Sequence, residues 1–219
     1  MALRLFLDSA DPHAWQRWLP SGLFHGVTTN PSLLRRAAQP CNMENLAVLC
    51  STALSYGIAE LHLQAWGPSP AEMLSCGEQL AALAPGHIAV KLPLTSQGAA
   101  VGRQLGDRAI PVTFTACFEI HQVLLAAALG ASYIAPYLGR INAQGRNGME
   151  AVIAMQRSLK GVGSSVRLLV ASLREPGELG ELTGAGLNTF TISPELAAAL
   201  FDCEATAAAS AQFERDAQS

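Results

Sequence analysis

The sequence is poor in charged residues, which make up 14% of its 219 positions and leave a formal net charge of −3. It has no basic block or arginine-rich stripe that could neutralise phosphates, so we expect no nucleic-acid partner. Half of the residues are hydrophobic, which excludes a disordered chain and provides for a large core. The low charge also fits a surface partly covered by other subunits, although alanine-rich helices would lower the charged fraction as well.

Long apolar runs and paired cysteines are absent too. Charges, glycine and proline interrupt every hydrophobic stretch before it reaches membrane-spanning length, and the N-terminal residues lack the apolar core of a signal peptide. The five cysteines include no C-x-x-C pair, which indicates reduced thiols rather than disulfides or a zinc site. The histidines are scattered. We therefore expect a cytoplasmic protein without a membrane partner, a metal or a cofactor.

Eight short apolar runs alternate with alanine- and leucine-rich stretches of helical spacing, such as those at 43–57, 69–84, 118–130 and 147–161. Most of the runs are apolar on both faces, which predicts parallel strands buried on both sides. The eight predicted strands cover residues 3–8, 24–29, 59–65, 87–94, 110–116, 132–139, 166–172 and 188–193.

Eight βα units in about 200 residues match the lower size limit of a (β/α)8 TIM barrel. An open, doubly wound sheet is the alternative, but it predicts fewer strands and a glycine-rich phosphate turn after the first strand, which the chain lacks. We therefore predict one α/β domain over residues 1–219. Its final alanine-rich helix, at about 204–217, could cap the barrel or reach a neighbouring subunit.

The active site of such a barrel lies at the carboxyl ends of its strands. Polar residues occur at or just beyond all eight predicted ends, and we expect their side chains to face one mouth. They are Asp8, Thr28 with Asn30, Gln64, Lys91, Thr115, Tyr137, Ser172 and Ser193.

Lys91 is the most informative of these residues because it lies within the apolar run HIAVKLPL. Burying a charged lysine is costly unless it is paired or its pKa falls. A desolvated lysine with a lowered pKa is the amine needed to attack a carbonyl group. The alternative is a structural salt bridge to a carboxylate such as Asp8, and the barrel pattern alone leaves both interpretations open.

The other strand ends also have two interpretations. Asp8 could tune the lysine or bind a substrate hydroxyl, or it could cap the following helix, although Asp11 is better placed for capping. Tyr137 could be a general acid and base or a packed aromatic residue. A water shared by Tyr137, Gln64 and Thr115 would favour the catalytic interpretation.

Two arginines follow the sixth and seventh predicted strands. Arg140 and Arg174 suit a phosphate on the substrate, whereas a single loop arginine is more often simply solvated. His62 lies on the same side of the third strand as Gln64. Since a lone histidine without ligand partners is more often structural, we leave His62 out of the candidate site.

Four segments resemble the small transaldolase family, and the likeness extends from LFLDSAD to the last helix. The segments are GVTTNPSLL (26–34), AVKLPLT (89–95), YIAPYLGRINAQG (133–145) and LVASLR (169–174). The resemblance implies a Schiff base between Lys91 and the C2 carbonyl of a ketose or dihydroxyacetone. It also implies self-association into pentamers or decamers, with the C-terminal helix packed on a neighbouring subunit.

Two positions resemble the fructose-6-phosphate aldolase type of this family. Gln64 stands where transaldolases usually have glutamate, and Tyr137 stands where they usually have phenylalanine. Thr113 occupies a position at which many transaldolases have asparagine. Departures from the aldolase pattern, which bear on the choice of acceptor, occur at Phe114, Leu173 and Asn142.

The resemblance thus implies a class I aldolase that cleaves or forms fructose 6-phosphate from dihydroxyacetone and glyceraldehyde 3-phosphate. The alternatives are a transaldolase, which passes the dihydroxyacetone unit to a second aldehyde, and a non-catalytic barrel that binds sugar phosphates. The expected catalytic residues are Lys91, Tyr137, Gln64, Thr115 and Asp8. The expected substrate-binding residues are Thr28, Asn30, Ser172, Arg140 and Arg174.

Overall fold

Eight parallel strands close into a barrel in the computed structural model, which describes residues 2–218. The first six strands each pair with the next along the chain, and the eighth pairs with the first. Backbone hydrogen bonds of Val170, which follows the seventh strand, to Thr189 and Thr191 of the eighth complete the closure. The predicted TIM barrel is therefore confirmed. The strands are β1 (Arg4–Asp8), β2 (Gly26–Thr28), β3 (Glu60–Gln64), β4 (Ile88–Pro93), β5 (Val112–Cys117), β6 (Tyr133–Pro136), β7 (Arg167–Leu168) and β8 (Thr189–Ile192).

Helices surround the barrel and connect its strands, and a short 3₁₀ turn at Leu19–Ser21 follows the first of them. None of the helices within residues 2–218 is long and apolar enough to cross a membrane. The helices are α1 (Pro12–Trp18), α2 (Pro31–Arg36), α3 (Met43–Ser55), α4 (Pro70–Leu83), α5 (Ser96–Asp107), α6 (Gln122–Ala128), α7 (Leu138–Ala143), α8 (Gly148–Gly161), α9 (Pro176–Gly184), α10 (Pro194–Ala199) and α11 (Glu204–Ala217).

Local sequence sets the start of several helices. Asp11 caps α1, where its carboxylate accepts a hydrogen bond from the backbone of His13 at 2.9 Å, as its position predicted. Ser69 and Glu72 form a capping box at α4. α8 ends at Gly161, the last residue of the helical stretch predicted at 147–161, and Gly163 follows with a left-handed backbone (φ +64°).

The sixth and seventh strands are shorter than the runs predicted at 132–139 and 166–172. β6 ends at Pro136 because Tyr137 already precedes the first turn of α7. β7 has only two regularly paired residues, and single bridges continue the pairing almost to Ser172, whose backbone is left-handed (φ +62°). Both early endings lie at the rim where the polar strand ends meet.

The core has two parts. A large apolar cluster fills the space between strands and helices, and a small one inside the barrel consists of Phe6, Tyr133, Ala135 and Leu169. The barrel interior also contains buried polar side chains, including those of His62 and Lys91. The inward-facing positions of the strands therefore include a small apolar cluster and a set of buried polar side chains that extends to Lys91.

Candidate active site

A cavity of about 410 Å³ opens at the carboxyl ends of the strands, where barrel enzymes have their active sites. Most of the predicted site residues line it, and three do not: Thr28, Gln64 and Thr115 lie in or beneath its walls. The predicted residues that line the cavity are Asp8, Asn30, Lys91, Tyr137, Arg140, Ser172 and Arg174.

Lys91 lies at the base of this cavity with only 5% of its surface exposed. Its Nζ donates a hydrogen bond to the backbone oxygen of Thr29 at 2.9 Å. Burial lowers the pKa of Lys91, and the negative charge of Asp8 offsets this only in part. Within residues 2–218 the lysine forms no ion pair, so the salt bridge considered as the structural alternative is not made.

Asp8 is held by a hydroxyl pair beneath it. Thr28 Oγ1 donates to Asp8 Oδ1 at 2.6 Å and lies 2.5 Å from Thr191 Oγ1. Thr28 is fully buried, so its contact is with the aspartate rather than with the cavity. The arrangement fixes one carboxylate oxygen of Asp8 and leaves the other available to a substrate hydroxyl.

Asn30 begins α2 and also faces the cavity. Its Oδ1 accepts a hydrogen bond from the backbone of Leu33 at 3.0 Å and so caps the helix. Because the amide oxygen is occupied, the NH₂ group is the part of Asn30 that remains to donate to a ligand oxygen. The T-T-N-P sequence thus places a helix cap and a hydrogen-bond donor in one residue.

Tyr137 and Thr115 form a hydroxyl pair, with 2.6 Å between Oη and Oγ1. The ring of Tyr137 packs edge-on against Phe118, and the guanidinium of Arg140 lies 4.5 Å from the ring centre. The phenol is therefore held by Phe118 and Arg140 at its ring and by Thr115 at its hydroxyl. Tyr137 also lines the cavity, so its ring is held in one orientation at the mouth.

Gln64 lies beside Lys91, because the two residues are in register on β3 and β4. On the other side of β4, Thr115 is in register with Pro93. Within the described chain the Gln64 side chain makes no direct hydrogen bond to Thr115 or Tyr137. The three predicted water ligands are thus arranged around the end of β4, but only two of them touch each other.

The loop after β7 packs closely against the start of α7. Gly139 donates from its backbone to the oxygen of Ser172 at 3.0 Å, and a Cβ at position 139 would lie 2.4 Å from that oxygen. Arg174 Nε would lie 3.1 Å from the same added Cβ. This contact brings Arg140 and Arg174 to one side of the mouth, where both are exposed and neither forms an ion pair within residues 2–218.

Two charged residues that the sequence did not indicate also line the cavity. Arg36 comes from the last turn of α2 and Glu195 from the first turn of α10. A hydrogen bond from Ser193 lowers the pKa of Glu195. Both residues lie on helices rather than at strand ends, so a search restricted to strand ends could not find them.

Within residues 2–218, no group of three or more His, Cys, Asp and Glu side chains could hold a metal ion. The groups gathered at the mouth are instead an amine, hydroxyls, amides, carboxylates and guanidinium ions. They offer a nucleophile, hydrogen-bond partners for a polyol and positive charge for an anion.

The chain is similar to known proteins over most of its length. Residues 5–219 match the family described as Transaldolase/Fructose-6-phosphate aldolase. A probable transaldolase of Phenylobacterium zucineum (strain HLK1) is 33% identical over 216 residues, which cover 98% of this chain and 96% of that protein. A probable transaldolase of Rhodospirillum centenum (strain ATCC 51521 / SW) is 33% identical over 218 residues, which cover 99% and 91%.

Among solved structures, a mutant flavocytochrome b2 with pyruvate bound is similar to this chain with a TM-score of 0.60. The sequence identity is 12%, and the match covers 89% of this chain and 57% of that one. At this identity the likeness shows only the barrel fold. The family match and the curated relatives extend over nearly the whole chain, and the chain therefore belongs to the transaldolase/fructose-6-phosphate aldolase family, whose enzymes are of the transaldolase and aldolase class.

Proposed function

We propose that the protein is a class I aldolase that cleaves fructose 6-phosphate, or forms it from dihydroxyacetone and glyceraldehyde 3-phosphate, through a Schiff base on Lys91. The observation that carries this proposal is the environment of the lysine. Its amine lies at the base of the cavity, its pKa is lowered by burial, and it has no carboxylate partner within 4.0 Å in the described chain. An amine in this state is an effective nucleophile toward a carbonyl carbon.

The first steps would use the amine and the hydroxyl pair. Neutral Lys91 attacks C2 of the ketose, and loss of water from the resulting carbinolamine gives an iminium ion. A water at the end of β4, held by Gln64, Thr115 and Tyr137, would carry the proton, with Tyr137 as its acid and base partner. The 2.6 Å contact between Thr115 and Tyr137 supports this role.

The iminium ion then accepts electrons from the breaking C3–C4 bond. The C4 hydroxyl loses its proton as the bond breaks, which releases glyceraldehyde 3-phosphate and leaves an enamine on Lys91. Protonation of the enamine at C3 and hydrolysis of the iminium release dihydroxyacetone and restore the amine. Tyr137 is the proposed source of the C3 proton.

Binding groups around the mouth would orient the sugar. Asp8 and the NH₂ group of Asn30 are placed to bind donor hydroxyls, and Ser172 is placed to bind the terminal hydroxyl of the donor. Arg140 and Arg174, exposed on one side of the mouth, would bind the phosphate through charge-assisted hydrogen bonds.

A transaldolase is the second candidate function, and the names of the curated relatives favour it. The two activities share every step up to the enamine, which a transaldolase passes to a second aldehyde. Gln64 and Tyr137 favour the aldolase, since they resemble the aldolase pattern and since Tyr137 supplies a hydroxyl that a phenylalanine would lack. A barrel that only binds sugar phosphates would use the same cavity without turnover.

The deciding experiment supplies fructose 6-phosphate with and without erythrose 4-phosphate as a second aldehyde. The aldolase proposal expects equal amounts of free dihydroxyacetone and glyceraldehyde 3-phosphate without the acceptor, and no product from the Lys91→Met variant. Lys160 is the only other lysine in the sequence, so Lys160→Met is the matched active control. Turnover only in the presence of the acceptor would identify a transaldolase, and no turnover in either condition would indicate the binding barrel.

We also propose that the protein self-associates, as a pentamer or a decamer, through α11. The helix has no buried residue, and Phe213 on it is 70% exposed. Covering this ring with a second copy of the chain would remove apolar surface from water.

A further inference from the structure

His62 occupies the layer of the barrel interior directly below Lys91. It is in register with Ala89, two residues before Lys91 on β4, and its side chain is fully buried. Its ring also packs edge-on against Phe6 and Tyr133. A histidine in this position could be only a space-filling ring, but each of its polar atoms has a specific partner.

The two ring nitrogens bond to different strands. Nε2 lies 3.1 Å from Glu60 Oε1, and Nδ1 lies 2.9 Å from Thr113 Oγ1. Burial lowers the pKa of His62 from its ordinary 6.5, although the Glu60 carboxylate opposes the shift, so at pH 7 the ring is mostly neutral and carries one proton. Because the Glu60 carboxylate can only accept a hydrogen bond, Nε2 is the donor and Nδ1 accepts from the Thr113 hydroxyl.

Glu60 is itself fixed from below. Its Oε2 accepts from Tyr133 Oη at 2.8 Å and lies 3.4 Å from Arg4 Nη1. Burial alone would raise the pKa of Glu60, but the hydrogen bonds of His62 and Tyr133 and the charge of Arg4 outweigh it and lower the pKa to about 2. The carboxylate is therefore a permanent acceptor, which holds His62 in one orientation and one tautomer.

Two residues that hydrogen-bond to His62, Thr113 and Thr29, are neighbours of Lys91. Thr113 is in register with Lys91 on β5. The backbone oxygen of His62 accepts a hydrogen bond from the backbone of Thr29 at 3.0 Å, and the oxygen of Thr29 accepts the amine of Lys91 at 2.9 Å. His62 thus connects to the lysine along two short paths, one through its imidazole and one through its backbone.

We propose that His62 is a positioning residue for Lys91, which holds the layer beneath the amine in one arrangement through Thr113 and Thr29. This inference rests on the proposed Schiff-base function. Loss of the imidazole would leave the buried Thr113 hydroxyl and the Glu60 carboxylate short of a partner. The layer would then relax. The Thr29 oxygen that orients the amine would shift as well, because the backbone of Thr29 is hydrogen-bonded to that of His62 on β3.

Three proteins test this inference by their steady-state cleavage of fructose 6-phosphate. His62→Phe keeps a planar ring and removes both hydrogen bonds, so we expect kcat to fall about tenfold while KM changes little, as for a small displacement of a reacting group. His62→Asn places an amide oxygen where Nδ1 stood and can accept from Thr113, so we expect it to recover most of the kcat of the wild type. Wild-type kcat in His62→Phe, or equal loss in both folded variants, would overturn the inference.

Thr113 provides a second pair of variants in case His62→Phe does not fold. Thr113→Val keeps the shape of the side chain and removes only the hydroxyl, whereas Thr113→Ser keeps the hydroxyl. We expect a lower kcat for valine and near wild-type kcat for serine. Equal kcat in these two variants would overturn the inference.

A trapping control separates this inference from the function on which it rests. The wild type is first treated with dihydroxyacetone and borohydride. An adduct on Lys91 in the wild type, combined with unchanged kcat in the variants, would reject only the role of His62. Absence of an adduct in the wild type would reject the Schiff-base function and the positioning role together.

Discussion

At the scale of single residues, burial of the Lys91 amine lowers the stability of the folded protein. A lysine whose pKa is lowered by burial is disfavoured in the folded state whenever it would be charged in the unfolded one. The residue proposed to carry the chemistry is therefore one that makes the folded protein less stable.

We expect Lys91→Met to unfold at a higher urea concentration than the wild type while losing activity. Because the pKa is lower in the folded state, the unfolded state binds more protons between the two pKa values, and wild-type stability rises with pH there. The excess stability of Lys91→Met over the wild type should therefore be largest below the pKa that Lys91 has in the folded state. It should decrease as pH approaches the ordinary lysine pKa of 10.5. A variant less stable than the wild type at pH 7 would contradict the burial cost.

We expect Tyr137→Phe to slow the release of free dihydroxyacetone by about 10² to 10⁴, the usual range for loss of a positioned acid or base. The borohydride adduct on Lys91 should still form, because the amine is untouched. Coupled assay of product release and mass spectrometry of the adduct give the two readouts. Thr115→Ser, which keeps a hydroxyl opposite Tyr137, is the control, and an unchanged rate in Tyr137→Phe would contradict the proton-transfer role.

Residue identities alone predicted most of the candidate residues that line the cavity, because a lysine in an apolar run and a polar residue at every strand end form an unusual pattern. The role proposed for His62 was beyond such reasoning, since its partner Thr113 is 51 residues away in the chain and only the closed barrel brings them together. Arg36 and Glu195 were missed for a related reason, because helix ends reach the mouth only through packing.

At the scale of elements, the strands and helices follow the apolar and helical periods closely, and their ends depend on tertiary contacts. β7 is the clearest example. Its apolar run continues past the two regularly paired residues, but the chain bends to meet α7, and Ser172 takes a left-handed conformation there. Local sequence could not show this bend, because the residues that cause it lie on another element.

The contact between α7 and the β7 loop can be tested with Gly139→Ala. The added Cβ would lie 2.4 Å from the Ser172 oxygen, so the loop must shift, and we expect a loss of about 1–3 kcal/mol in the free energy of unfolding. Displacement of Ser172 and Arg174 should also lower kcat/KM for fructose 6-phosphate.

Gly180→Ala is the control for this substitution. Gly180 lies within α9, where a Cβ meets no atom within 4 Å, so alanine there should stabilise the protein by about 0.5–1 kcal/mol through helix propensity. Urea unfolding of both variants gives the comparison, and wild-type stability and activity in Gly139→Ala would contradict the role of this contact.

At the scale of the whole molecule, exposed apolar side chains support the proposed self-association. Phe201 stacks on Trp18 but is still 66% exposed, and Phe213 lies on the following helix, α11. Exposed aromatic rings and a low fraction of charged residues are expected of a chain whose surface is partly covered by other subunits.

We expect Phe213→Glu to reduce the mass of the particle measured by light scattering after size-exclusion chromatography. The new carboxylate would have to be buried at the proposed interface, which is unfavourable without a partner. Gln218→Glu adds the same charge just beyond the end of α11 and should leave the mass unchanged. Equal masses for the wild type and Phe213→Glu would reject α11 as the interface.

The central claim is the Schiff base on Lys91, and reductive trapping tests it most directly. Lys91 and Lys160 are the only lysines in the sequence, so peptide mass spectrometry after treatment with dihydroxyacetone and borohydride has only two lysine side chains to distinguish. We predict the reduced adduct on Lys91, its loss in Lys91→Met and its persistence in Lys160→Met. An unmodified Lys91, or turnover that survives in Lys91→Met, would contradict the claim.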